Sequence, residues 1–100
     1  MTVFKPPEAK QPWERMDYAV TYQDWLNGGD VLEDVDAFVE CITDPADISL
    51  LVDGVEFTAN TAKVWIAGGT AGNRYKVTVR STTQQQRRDE SEIIITVKEY

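Results

Sequence analysis

The 100-residue sequence has no histidine and one cysteine, Cys41. A lone thiol cannot close an intrachain disulfide, so the fold must hold by packing. Without imidazoles, zinc sites and the common base-assisted nucleophiles are excluded or nearly so. Lysine and arginine are missing from Met16 to Ala62, a stretch that holds eleven carboxylates. Cations return from Lys63 onward, seven against four acidic residues, for a local balance of +3. No apolar run approaches membrane-spanning length, and Met1 to Pro7 lacks the basic start and apolar stretch of a signal peptide. The chain therefore reads as made and kept in the cytosol, with no membrane partner. A net charge of −7 is a poor match to a phosphate backbone, so no nucleic-acid partner is expected. Faces of unlike charge suit packing against copies of the same chain or against a basic partner.

What is present is the composition of one globular domain: 42% apolar and 27% charged residues, enough for a core at this length. The organising stretch is Lys63 to Val79. Tyr75, Val77 and Val79 alternate with Arg74, Lys76, Thr78 and Arg80, the period of a strand buried on one face. Before it, Gly68-Gly69-Thr70-Ala71-Gly72-Asn73 supplies glycines for a tight reversal. This turn lacks the spacing and lysine of a phosphate-binding loop and joins two strands. Upstream, Ala62, Val64 and Ile66 share one face of a strand, which places Trp65 on the outer face, exposed or lying under Arg74 or Lys76 of a neighbouring strand.

Residues 1–14, with Pro6, Pro7 and Pro12, read as an extended N-terminal arm ending in Trp13, an anchor for its own sandwich or for another subunit. Residues 15–100 read as the folded domain. Its first strand runs from Met16 to about Tyr22, followed by a turn over Asp24–Asp30 in which Trp25 and Leu26 plug one end of the core. From Val31 to Ile42 the apolar parity shifts, with Val31, Val35, Ala37 and Val39 on one side and Leu32 and Phe38 on the other, as a bulge or a strand passing between sheets would produce. The carboxylates of this strand, Glu33, Asp34, Asp36 and Glu40, lie in a row and lack calcium-loop spacing, so no metal is expected. After the turn Asp44-Pro45-Ala46-Asp47, Asp53-Gly54 predicts a hairpin between Ile48–Val52 and Val55–Thr58. A polar tip at Gln84–Asp89, carrying Arg87 and Arg88, leads to a last strand with Ile93, Ile95 and Val97 inward. Ile94 faces outward on that terminal edge strand, fit for a subunit contact or for coverage by the arm.

About seven short strands with no helical segment predict an all-β, immunoglobulin-like or fibronectin-III-like sandwich of antiparallel strands behind an N-terminal arm. Tyr75 stands where such folds place a tyrosine corner. No catalytic or cofactor-binding residues are expected. The candidate interface residues are Trp13, Trp25, Trp65, Ile94, Arg87 and Arg88.

Asp17-Tyr18, Asp24-Trp25-Leu26, Gly29-Asp30, Val64-Trp65-Ile66, the Gly68–Gly72 turn and Tyr75-Lys76-Val77-Thr78, taken in this order, resemble the fiber-tail adaptors of tailed bacteriophages, over roughly Lys5 to Val97. The chain departs from that pattern at Gln86, where the family usually has glycine before the arginine, and in the acidity of Glu33–Thr43. The resemblance implies a non-enzymatic virion protein, made in the host cytoplasm and present in several copies at the portal, neck or tail tube. Its partners would be that ring, a fiber or spike, and copies of itself. Two other readings stand beside it: a capsid decoration protein, and a carbohydrate- or cell-surface-binding module built on Tyr18, Tyr22 and Trp25.

Overall fold

The computed structural model describes residues 2–6, 8–22, 25–26 and 28–99. Asp24 and Asn27 of the expected turn, and Gln23 before it, lie outside the described residues. Among the described residues seven strands form two sheets: β1 (Thr2–Phe4), β2 (Arg15–Thr21), β3 (Leu32–Cys41), β4 (Leu50–Phe57), β5 (Thr61–Gly68), β6 (Arg74–Thr83) and β7 (Arg88–Thr96). One sheet has the order β1-β7-β6-β3 and the other β2-β5-β4. They stack as an all-β sandwich measuring 45 × 22 × 20 Å. All pairings are antiparallel except β1 with β7, which is parallel.

The period-two residues build the core. Ala62, Val64 and Ile66 of β5 face Tyr75, Val77 and Val79 of β6 and Ile93 and Ile95 of β7, and all are buried. Burying each aliphatic side chain contributes about 1.5–3 kcal/mol. The shifted parity in β3 is a bulge between Leu32 and Asp34, which turns both Leu32 and Val35 inward.

Three expectations are corrected. Asp53-Gly54 does not turn: β4 continues through it, and the register shift between Val52 and Gly54 marks a bulge. Gly54 has no positive φ; a Cβ there would stand 3.4 Å from Trp65 Cδ1, at the near limit of ordinary contact with the facing strand. The actual reversal into β5 lies at Thr58–Thr61, where the Thr58 N–H donates to Thr61 O at 2.8 Å. Next, β5 and β6 do not share a sheet; the glycine-rich turn carries the chain from one sheet to the other. Gly68 and Gly69 take φ of 81° and 103°. A Cβ on Gly68 would strike the Ser49 carbonyl oxygen, and one on Gly69 would lie 2.7 Å from Val97. Finally, β7 is not an edge, because β1 pairs with it outside, Phe4 opposite Ile93.

A buried or shielded carboxylate ties the loops at each end of the sandwich. At one end the Tyr75 hydroxyl accepts the Thr70 N–H at 2.8 Å and donates to Asp47, the bond back to upstream backbone expected of a tyrosine corner. Asp47 also accepts from Asn73 Nδ2 and from the Ser49 N–H, both at 2.8 Å. Bonds from the Ser49 hydroxyl, Tyr75, the Ser49 amide and Asn73 hold its carboxyl well below the usual carboxylate range. At the other end Asp30 is buried. Burial alone would push its carboxyl up, but bonds from Thr83, the Gln85 N–H, Arg87 and the Val31 N–H keep it low.

Candidate interaction surfaces

Trp13 stands on a clamped turn. The Glu14 N–H donates to Gln11 O at 3.1 Å, and the Gln11 N–H donates to Glu14 Oε1 at 2.7 Å. Lys10, immediately before this turn, is 1% exposed, and its ammonium donates to Gln11 O at 2.8 Å and to Gly68 O at 2.6 Å. Its backbone bridges to Val97 beside β7. Burial lowers the Lys10 pKa, with Glu14 opposing. On this base Trp13 is 95% exposed, so it does not anchor its own sandwich. A large aromatic presented on a fixed turn loses little freedom when a partner covers it.

Trp65 lies on the outer face of β5, as its parity predicted, but it is half-buried. The cations above it are Arg15, 4.2 Å from the ring centroid, and Lys63, at 5.8 Å; Arg74 and Lys76 belong to the other sheet. Arg15 also donates to Asp53 of β4, so one guanidinium spans the sheet from edge to edge across the indole.

Trp25 and Arg87 come together. The guanidinium sits 4.4 Å from the Trp25 ring centroid, Nη2 donates to Trp25 O at 2.9 Å, and Nε donates to Asp30 at 3.1 Å. Tyr22 packs 5.9 Å from the same ring. Trp25 and Leu26 pack against the core, the plug expected of them. Tyr22 is buried and Trp25 is capped, so Tyr18, Tyr22 and Trp25 do not form an open stacking platform for a sugar. Arg88 is exposed and lines a polar groove of about 570 Å³ on the outer face of the four-stranded sheet, with Asp34, Asp36, Arg80, Asp89 and Glu90. Ile94, on that same face, is half-buried and lies opposite Lys76 of β6. Lys76 bonds Glu40 at 2.8 Å, which together with the Glu40 charge raises its pKa. Phe38 is exposed on this sheet too, with Arg80 5.0 Å from its ring centroid.

The structure also exposes an apolar surface that residue patterns did not single out. Ile48 and Leu51 are 84% and 58% exposed, and Phe57 is exposed farther along β4. With Val39, Pro45, Leu50 and Tyr75, Ile48 and Leu51 line a groove of about 280 Å³ where β3 and β4 meet at the side of the sandwich. Reading Asp53-Gly54 as a turn concealed this flank, since it split the strand that forms one wall. Among the described residues no group of three or more histidine, cysteine or carboxylate side chains is placed to hold a metal ion. No helix of the described residues is long and apolar enough to cross a membrane.

Compared with known proteins, residues 10–96 match the family model described as podophage GP4 fiber-tail adaptor protein gp77. No curated protein matches the chain.

Proposed function

The chain belongs to the podophage GP4 fiber-tail adaptor family, structural proteins of the virion, and from that membership we propose that it links the tail or neck of the particle to tail fibers or spikes without catalysing a reaction. The family match across residues 10–96 is the observation that carries this reading. The physical character of the molecule agrees with it. A rigid sandwich tied at both ends by carboxylate networks holds its outer surfaces in fixed relation, and those surfaces carry Trp13, Trp65 and the groove at β3 and β4. Its partners are other virion proteins, namely the tail-tube, neck or portal-adaptor ring and the fiber or spike.

The same reading divides the chain into an arm, residues 1–14, and a sandwich, residues 15–100. The strand orders β1-β7-β6-β3 and β2-β5-β4, in which the arm supplies β1 as an edge strand, and the Tyr75 bond to Thr70 favour an immunoglobulin-like description of the sandwich. The test is the position of the protein in purified particles by labelled imaging or reconstruction. Density between the tail or neck and the fibers is expected. Density on the heads alone would replace the adaptor reading with capsid decoration.

A further inference from the structure

Trp13 and the groove lined by Ile48 and Leu51 sit at the same level on opposite sides of the sandwich. Trp13 lies two residues before Arg15, the first residue of β2, which pairs with Ala67. Leu50, the first residue of β4, pairs with Gly68. Both features therefore stand at one end of the three-stranded sheet, and β2 and β4 are its two edges. One side offers a bare indole on a clamped turn, and the other a mainly apolar groove of about 280 Å³ with Leu50 and Tyr75 at its base, Ile48 and Leu51 at its rim, and Glu40 and Asp47 also in its lining. That space is sized for one large aromatic side chain.

We propose that Trp13 of one copy inserts into the β3–β4 groove of the next, so that copies of this chain associate side by side and head to tail. Charge sets the direction. The groove flank, Leu32 to Phe57, carries eight carboxylates and no cation of its own, whereas residues 2–15 carry only Glu8 and Glu14, beside an exposed Lys5, with Lys10 buried and Arg15 bonded to Asp53. Two groove flanks repel each other, which disfavours a two-fold dimer through that side and favours the pairing of unlike sides. A contact between unlike patches at one level repeats sideways and closes into a ring where the rotation permits. The proposal deepens the adaptor reading and rests on it for the place where copies gather; the contact itself rests on Trp13 and the groove.

Sedimentation of the full chain over a concentration series up to about 1 mM tests it, since weaker association than that is negligible. The wild type is expected to self-associate. Trp13→Ala and Ile48→Glu, both at exposed positions, are each expected to weaken association by about thirtyfold or more, the loss of a buried aromatic anchor, with unchanged circular dichroism. An equimolar mixture of the two variants retains one intact tryptophan side and one intact groove, and is expected to form dimers and nothing larger. A monomeric wild type, or variants that associate as it does, overturns the proposal. A protein that is monomeric yet found between tail and fibers refutes this contact and leaves the adaptor reading standing. A self-associating protein found only on heads does the reverse.

Discussion

Replacing Gln86 with glycine should stabilise this protein. The loop between β6 and β7 closes with the Gln86 N–H donating to Thr83 O and the Thr83 N–H donating to Arg87 O, both at 2.9 Å. That leaves Gln84, Gln85 and Gln86 as a three-residue loop whose last member must be left-handed. Gln86 has φ of 68° and is the one non-glycine residue with positive φ among those described. A side chain in that conformation costs about 1–2 kcal/mol. Glycine removes the clash but adds about 0.5–1 kcal/mol of unfolded-state entropy, so the net gain at the midpoints of the two ranges is about 0.75 kcal/mol. For a domain of this size that raises Tm by about 3–6 °C. Calorimetry or thermal circular dichroism of Gln86→Gly, Gln86→Ala and Gln86→Val reads it. Alanine should be close to neutral and valine should destabilise, because branching at Cβ worsens the same clash. If glycine leaves Tm unchanged or lowers it, the left-handed strain assigned to Gln86 is wrong. Gln86 is also where the sequence departs from the pattern that the adaptor resemblance implies, and that departure falls on a left-handed position.

Three further outcomes follow from the geometry. Tyr75→Phe removes the hydroxyl that accepts the Thr70 N–H and donates to Asp47; unfolding in urea should show a loss of about 1–3 kcal/mol, and a loss below a few tenths would mean the corner is ornamental to stability. Asp47 has a depressed pKa in the folded state, so its bonds stabilise the fold fully above the unfolded value of about 3.9 and fade as pH falls below it. The melting temperature should drop between about pH 5 and pH 2, and Asp47→Asn should flatten that acid arm while lowering stability at neutral pH. Gly68→Ala forces a Cβ into the Ser49 carbonyl at a φ disfavoured for alanine and should prevent soluble expression, whereas Gly72→Ala, whose Cβ would meet nothing within 4 Å, should fold with a loss of about 1–2 kcal/mol.

Much of the sandwich was legible because alternation is a local signal with a direct physical cause. Tyr75, Val77 and Val79, and likewise Ile93, Ile95 and Val97, announce buried faces whatever their neighbours are. Partnership is not local. The turn chemistry of Gly68–Gly72 is the same whether the chain returns within a sheet or crosses to the other, so Trp65 was assigned the wrong cations. Gly54 is another case: beside an aspartate it carries a hairpin signal, yet it lies within β4 and pairs with Trp65 of the adjacent strand. Thr2-Val3-Phe4 is too short and too close to prolines to show a period, and its parallel pairing with β7 depends on residues about ninety positions away. Of the surface features, Trp13 could be noticed as a lone aromatic at the end of a proline-rich segment. The groove could not, because it needs Val39, Pro45, Leu51 and Tyr75 brought together from three parts of the chain.

The parallel pairing of β1 with β7 has a mechanical consequence. Thr2 lies opposite Ser91, and farther along the same direction Lys10 lies opposite Val97. A pull that draws Thr2 away from Val97 along the strand axis loads these backbone contacts in shear, so they share the tension and do not open one after another like a zip. A molecule that tethers a fiber through the two extremities of its chain would meet force with its stiffest arrangement of hydrogen bonds.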